Sequence, residues 1–408
     1  MSLPLGLALY RAVTGALEPF APALLGRRAR LGKEDPGRLP ERLGRTAIDR
    51  PPGPLAWLHG ASVGEGLSLL PLVQALRARR PDLQLLVTSG TTTSAELLGR
   101  RLPADIIHQY APLDTPGSAR RFLDHWRPDL VVLAESELWP NLILGAEDRG
   151  ARVALVSARL SARSLAGWAR QAGSARRLFG AFDLVLAQDD ATAAALAGLG
   201  ARDDGRLNLK LAGEPLPAEE AALARARAAA GDRPVFLAAS THPGEEALVL
   251  DAFARLGRGL LVIVPRHPSR GAEIAALAAE RFPVRRQGAG ETFDGAAPVY
   301  VADRLGELGL WFRLARAAFV GGSLVPGIGG HNPLEPARLG CPSITGPHLE
   351  NWQSVYDALG DRVARVSDAE GLARAFDAPP SPEPARALAE AGAASVDEAA
   401  ERLARLVP

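Results

Sequence analysis

Four stretches of the sequence set acids, imidazoles, guanidinium groups or glycine-dense backbone directly after an apolar run. The first is His59-Gly-Ala-Ser-Val-Gly-Glu65-Gly66. Its glycines let the backbone turn tightly and come close to a ligand, and they put Glu65 at the start of the helix that follows. A carboxylate there faces the cleft. It can serve a ligand, or do no more than complement the helix dipole. The second is Ala134-Glu-Ser-Glu-Leu-Trp-Pro-Asn141, in which Glu135 and Glu137 share a face if the strand continues. Carboxylates at such a place are costly unless paired or used; the structural alternative is a partner such as Arg159 or Arg163.

The third stretch is Ala239-Ser-Thr-His-Pro-Gly-Glu-Glu246, a helix start whose free amides and Ser240 hydroxyl suit a phosphate. Ordinary capping explains it as well. Arg266 and His267 follow the next apolar run and reach the same rim. The fourth is the most specific: Gly321-Gly-Ser-Leu-Val-Pro-Gly-Ile-Gly-Gly-His-Asn-Pro-Leu-Glu335-Pro336. Its glycines, with Gly322 and Ser323 among them, suit close approach of phosphate. Asn332 and Glu335 stand where a helix begins, and a carboxylate there suits a ribose diol.

These stretches need a scaffold that brings strand ends together. Short apolar runs at 55–58, 83–87, 130–133, 153–156 and 184–187 alternate with amphipathic helical patterns at 64–79, 118–126, 161–178 and 191–199. The alternation breaks at 212–232 and restarts with runs at 235–239, 260–264, 299–301, 318–320 and 342–345. Apolar runs bounded by short turns and helices predict parallel sheets covered on both faces. The fold class is therefore α/β, with two doubly wound, Rossmann-like domains facing a cleft. Ligands are expected at the carboxyl ends of the strands.

Composition narrows the partners. A net charge of +1 announces no bulk polyelectrolyte partner, and no nucleic acid is expected. Cys341 is the single cysteine, so no disulfide framework is possible, and no CxxC or HExxH pattern calls for a metal. No cofactor is expected. Residues 3–25 are apolar but interrupted by Arg11, Glu18, Pro19 and Pro22, with Arg27, Arg28, Arg30 and Lys33 following. That order predicts a kinked helix lying in a membrane interface with its arginines at anionic headgroups. The alternative is an amphipathic helix packed on the protein's own core.

Read in order, the motifs resemble the bacterial Kdo (3-deoxy-manno-octulosonate) transferases of lipopolysaccharide synthesis. The likeness runs through Glu41-Arg-Leu-Gly44, Ser62-Val-Gly-Glu65, Glu137-Leu-Trp-Pro-Asn141, Ser157-Ala-Arg-Leu-Ser161 and Asn208-Leu-Lys210. It continues through Ser240-Thr-His242, Pro265-Arg-His267, Gly306-Glu-Leu-Gly309, Gly330-His-Asn-Pro-Leu-Glu-Pro336 and Gly346-Pro-His348. Gly66 stands where an aliphatic residue is usual, which predicts a looser loop around Glu65.

The resemblance implies a GT-B glycosyltransferase with CMP-Kdo as donor and the lipid A precursor (lipid IVA) as acceptor. It places the enzyme on the cytoplasmic face of the inner membrane. It implies a membrane-associated segment at 1–30, an acceptor domain at 31–213 and a linker with a helix at 214–233. A nucleotide-sugar domain at 234–380 and a helical region at 381–408 complete the chain. Glu65 becomes the base, with Glu135 and Glu137 as its catalytic neighbours. Lys210, Ser240, Arg266, His267, Gly306, Glu307, Gly322, Ser323, Asn332 and Glu335 become the donor-binding residues. Related enzymes using heptose or GlcNAc nucleotides, or a sugar-nucleotide 2-epimerase, are the alternative.

Overall fold

The computed structural model describes residues 3–213, 215–350 and 352–408. The chain divides into two compact units, Met1–Gly213 with Gly392–Pro408, and Glu214–Ala391. The helix Glu383–Ala404 thus runs out of the second unit, and its last turns complete the first.

The first unit holds six strands: β1 (Leu55–His59), β2 (Gln84–Ser89), β3 (Ile107–Tyr110), β4 (Leu130–Ala134), β5 (Arg152–Ala158) and β6 (Leu184–Ala187). All pair in parallel in the order 3-2-1-4-5-6. Each of β1 and β4 is buried at every residue, as a parallel sheet covered on both faces demands. Two apolar layers flank the sheet. One gathers Trp57, Phe122, Trp126 and Phe179; the other gathers Leu69, Leu72 and Leu76 with Val396, Ala400 and Leu403 of the returning segment.

The second unit holds β7 (Val235–Thr241), β8 (Leu260–Pro265), β9 (Val284–Arg286), β10 (Val299–Val301), β11 (Ala317–Val320), β12 (Ser343–Thr345) and β13 (Val363–Arg365). The order is 13-12-11-7-8-10-9, again parallel throughout. The alanine-rich helix Glu220–Ala230 belongs to this unit and buries Ala226 and Ala230 beside Val235 and Leu237.

Among the described residues no helix is long and apolar enough to cross a membrane. The N-terminal segment forms helices Leu5–Leu17 and Ala21–Arg30, separated by a single 3₁₀ turn at Glu18–Phe20 that contains Pro19. One face docks on the first unit through Leu7, Ala21 and Leu25. Tyr10 Oη donates to Asp114 at 2.9 Å, and Glu18 accepts from the Gly117 amide and Arg121. The other face leaves Leu5, Leu9, Val13, Leu17, Phe20 and Leu24 exposed. At four-residue spacing the first four form one ridge. The segment therefore packs on the core through one face, as the second expectation had it, and presents an apolar face outward.

Candidate active site

In a doubly wound sheet the strand order reverses at one point, and the loops leaving the two strands there diverge to open a crevice. In the first unit that point lies between β1 and β4. Glu65 follows β1, while Glu135 and Glu137 follow β4, so the strand order itself brings the three acids to one rim.

Ser62 caps the helix Val63–Arg79, and Glu65 closes a capping box: its Oε2 accepts from the amides of Ala61 at 2.7 Å and Ser62 at 3.2 Å. The dipole-complementing role foreseen for Glu65 is thus real. Among the described residues no hydrogen bond falls on its Oε1, which leaves an oxygen for a substrate hydroxyl. Burial raises its proton affinity; the two amides act against this, and the negative charges of Glu137 and Glu135 add to it. Gly66 gives the helix close approach to its neighbour: a Cβ there would lie 3.0 Å from Ser94 Oγ and 3.2 Å from Leu98.

The arginine partners foreseen for the other two acids are replaced by different residues. Glu137 Oε2 accepts from Trp139 Nε1 at 2.6 Å and lies 3.2 Å from His59 Nε2. Burial works against its charge, but the His59 and Trp139 bonds outweigh burial and hold its carboxyl below the ordinary range. Glu135, held at φ +54°, has Lys210 Nζ 3.0 Å from its Oε1. Lys210, foreseen at the donor phosphate, lies in the first unit with its charge on this carboxylate.

The second unit has its own reversal point, between β7 and β11. Ser240, at φ +56°, lies near the end of β7 and His242 follows it; the glycine loop leaves β11. Glu245 is fully buried there, and its carboxylate accepts from the amides of His242, Gly322, Ser323 and Leu324 at 2.8 to 2.9 Å. Gly321 has to be glycine, because a Cβ would lie 2.6 Å from Ser240 O and 2.9 Å from Glu245 Oε2. The amides of Gly322 and Ser323, foreseen as phosphate donors, are thus taken by an internal anion. The Ser323 hydroxyl is committed too, donating to Val320 O and accepting from the Gly346 amide. Both residues shape the loop.

What this rim offers outward is imidazole and guanidinium. His242 and His331 stack with 2.8 Å between their Nε2 atoms, so one donates to the other. His267 packs edge-on to His242 at 6.1 Å. Burial pushes His331 down to about 4, with His242, Arg266 and His267 adding to that effect. Glu335 lies within the influence of Arg338 and Arg266 and bonds Asn332; burial nonetheless raises its carboxyl. The structure therefore brings Arg266, His267, Asn332 and Glu335 together. Gly306, at φ +90°, and Glu307 instead line a separate pocket of about 690 Å³ with Gln287, Tyr300, Arg304 and Trp311, where Glu307 accepts from Gln287 Nε2.

Sequence reading passed over His59, Thr88, Glu245 and His331 as site residues. Three of the four sit inside or beside motifs already singled out, so position was available as a signal; the bonding partners were not.

Two doubly wound parallel sheets, with acids at one reversal point and basic groups at the other, define a GT-B type of architecture. The likeness to the Neisseria meningitidis UDP-GlcNAc 2-epimerase bound to UDP-GlcNAc supports that fold: 14% identity, TM-score 0.55, 86% of this chain and 99% of that one. Residues 37–212 match the family described as 3-deoxy-D-manno-octulosonic-acid transferase (kdotransferase). The chain is 37% identical over 383 residues to the 3-deoxy-D-manno-octulosonic acid transferase of Bordetella pertussis, covering 88% of this chain and 87% of that one. It is 35% identical over 357 residues to that of Haemophilus influenzae, covering 84% and 83%. The chain belongs to the Kdo transferase family of glycosyltransferases.

Proposed function

We propose that this enzyme transfers Kdo from CMP-Kdo to lipid IVA with inversion, at the cytoplasmic face of an inner membrane. The observation that carries the reading is Glu65, a half-buried carboxylate of raised proton affinity at the reversal point of the first sheet. An acceptor hydroxyl gives its proton to Glu65 as its oxygen attacks the anomeric carbon. The bond from that carbon to the CMP phosphate breaks, and the phosphate leaves with the electron pair. One base on the acceptor side is enough for a single displacement. The raised proton affinity matters because a carboxylate of ordinary strength is a poor base toward a sugar hydroxyl.

On the donor side, the developing phosphate charge meets Ser240, Arg266 and His267, while Glu335 takes the ribose diol. Charge stabilisation of this kind counts toward rate because it strengthens as the bond breaks. Gly322 and Ser323 contribute by shape, Asn332 by holding Glu335. Gly306 and Glu307 frame the pocket beside Tyr300 and Trp311, which suits a flat base. The ridge Leu5, Leu9, Val13 and Leu17, with Arg27, Arg28 and Arg30 on the next helix, supports docking on an anionic bilayer, where an acylated acceptor resides.

Incubation with lipid IVA and, separately, CMP-Kdo, ADP-heptose and UDP-GlcNAc tests the reading. CMP release coupled to a Kdo mass increment on the lipid is the expected result. Turnover confined to another nucleotide, or epimerisation of UDP-GlcNAc without acceptor, would overturn it.

A further inference from the structure

His59 ends β1 and is almost fully buried. Its Nε2 faces the Glu137 carboxylate at 3.2 Å, and its Nδ1 lies 2.9 Å from Thr88 Oγ1 on the neighbouring strand β2. Thr88 Oγ1 in turn accepts from Trp57 Nε1 at 2.8 Å. An ionised carboxylate has no proton to give, so Nε2 is the donor in the His59–Glu137 bond. The ring is pinned at both nitrogens and by the sheet on which it stands. Other groups could satisfy a buried carboxylate, yet this one is held by a histidine whose far side is fixed through two further side chains.

We propose that His59 is a positioning residue for the transfer step, acting through Glu137: the chain Trp57–Thr88–His59–Glu137 holds a negative charge in fixed place beside Glu65. The groups facing this chain are few. Glu65 comes from the helix Val63–Arg79, Glu135 and Glu137 from the turn after β4, and Lys210 from the 3₁₀ turn Leu209–Leu211, where it compensates Glu135. Lys210 pairs with Glu135, while the bonds to Glu137 among the described residues come from His59 and Trp139 and hold it charged. That charge strengthens Glu65 as a base. The proposal rests on Glu65 being the base.

His59→Phe keeps the ring's size and removes the donor. Glu137 then takes a proton more readily, its repulsion of Glu65 fades, and Glu65 becomes a weaker base. The expected result is a fall in kcat of about tenfold, an unchanged KM for CMP-Kdo, and an acidic limb of the kcat–pH profile moved down by about half a pH unit. His59→Gln, whose amide can still donate to Glu137, should restore most of the rate and the position of the limb. Thr88→Val, which keeps the side chain's shape, gives a second reading if the Phe variant does not fold; it should move the limb the same way by less. A wild-type limb in both His59→Phe and Thr88→Val, or equal loss in the Phe and Gln variants, would overturn the proposal. Full activity in Glu65→Gln would instead remove the base on which it stands.

Discussion

The two reversal points share a topology and invert each other's chemistry. At the first, three carboxylates crowd one rim; burial raises the proton affinity of Glu65, and the charges of Glu137 and Glu135 add to it. At the second, three histidines and Arg266 crowd the rim, and the buried carboxylate of Glu245 is spent on backbone amides. The fold fixes where a site opens, and the side chains at the strand ends decide which charge it can stabilise. A proton acceptor needs neighbours that make ionisation harder; a phosphate site needs neighbours that favour an arriving anion.

The largest expected effect breaks the acidic side alone. Glu65→Gln should lower transfer about a hundredfold or more, the usual range for loss of a general base, while calorimetry shows CMP-Kdo binding unchanged. With Glu65 as the proposed base, the ionised form is the one that acts, and its proton affinity is raised. The rate should therefore climb with pH through a midpoint above 4.5, the ordinary glutamate value.

On the basic side, Arg266→Ala removes the charge proposed to meet the leaving phosphate. Donor affinity should fall roughly tenfold, in line with such bonds, leaving the pH midpoint of transfer in place. An affinity equal to wild type would take Arg266 out of the donor site. Smaller still should be Lys210→Ala. With its charge on Glu135 rather than on phosphate, CMP affinity measured by calorimetry should hold, and transfer should fall only about threefold to tenfold as Glu135 loses its partner. Weakened CMP binding would return Lys210 to the donor side. Outside both rims, replacing Leu5, Leu9 and Val13 by Ser should cut partitioning onto anionic liposomes several-fold. Activity on detergent-dispersed acceptor should persist, because Leu7 and Leu25 still anchor the helices.

Much of the fold was legible because buried parallel strands have to be apolar throughout. Ten of the strands coincide with apolar runs read from the sequence. The three not foreseen, β3, β9 and β13, all lie at sheet edges. An edge strand packs against one neighbour only, so runs such as Val284-Arg-Arg286 carry no apolar signature. The stretch read as a single helix over 161–178 is two helices, Ala162–Ala169 and Ala172–Phe179. At the site, the motifs and their rims were readable, but the pairings were not. Glu135 with Lys210, Glu137 with His59, and Glu245 with the glycine loop each join distant positions, and strand order, absent from local pattern, decides them.

The return of Gly392–Pro408 to the first unit has a consequence for how the protein is made. Val396, Ala400 and Leu403 cover Leu69, Leu72 and Leu76 on one face of the first sheet. A ribosome releases that sheet early and its cover last, after the whole second unit has emerged. The unit translated first is therefore the last to close, and its apolar face waits through synthesis of the second unit for a partner still inside the ribosome. Such a face is where a nascent chain depends on holding factors.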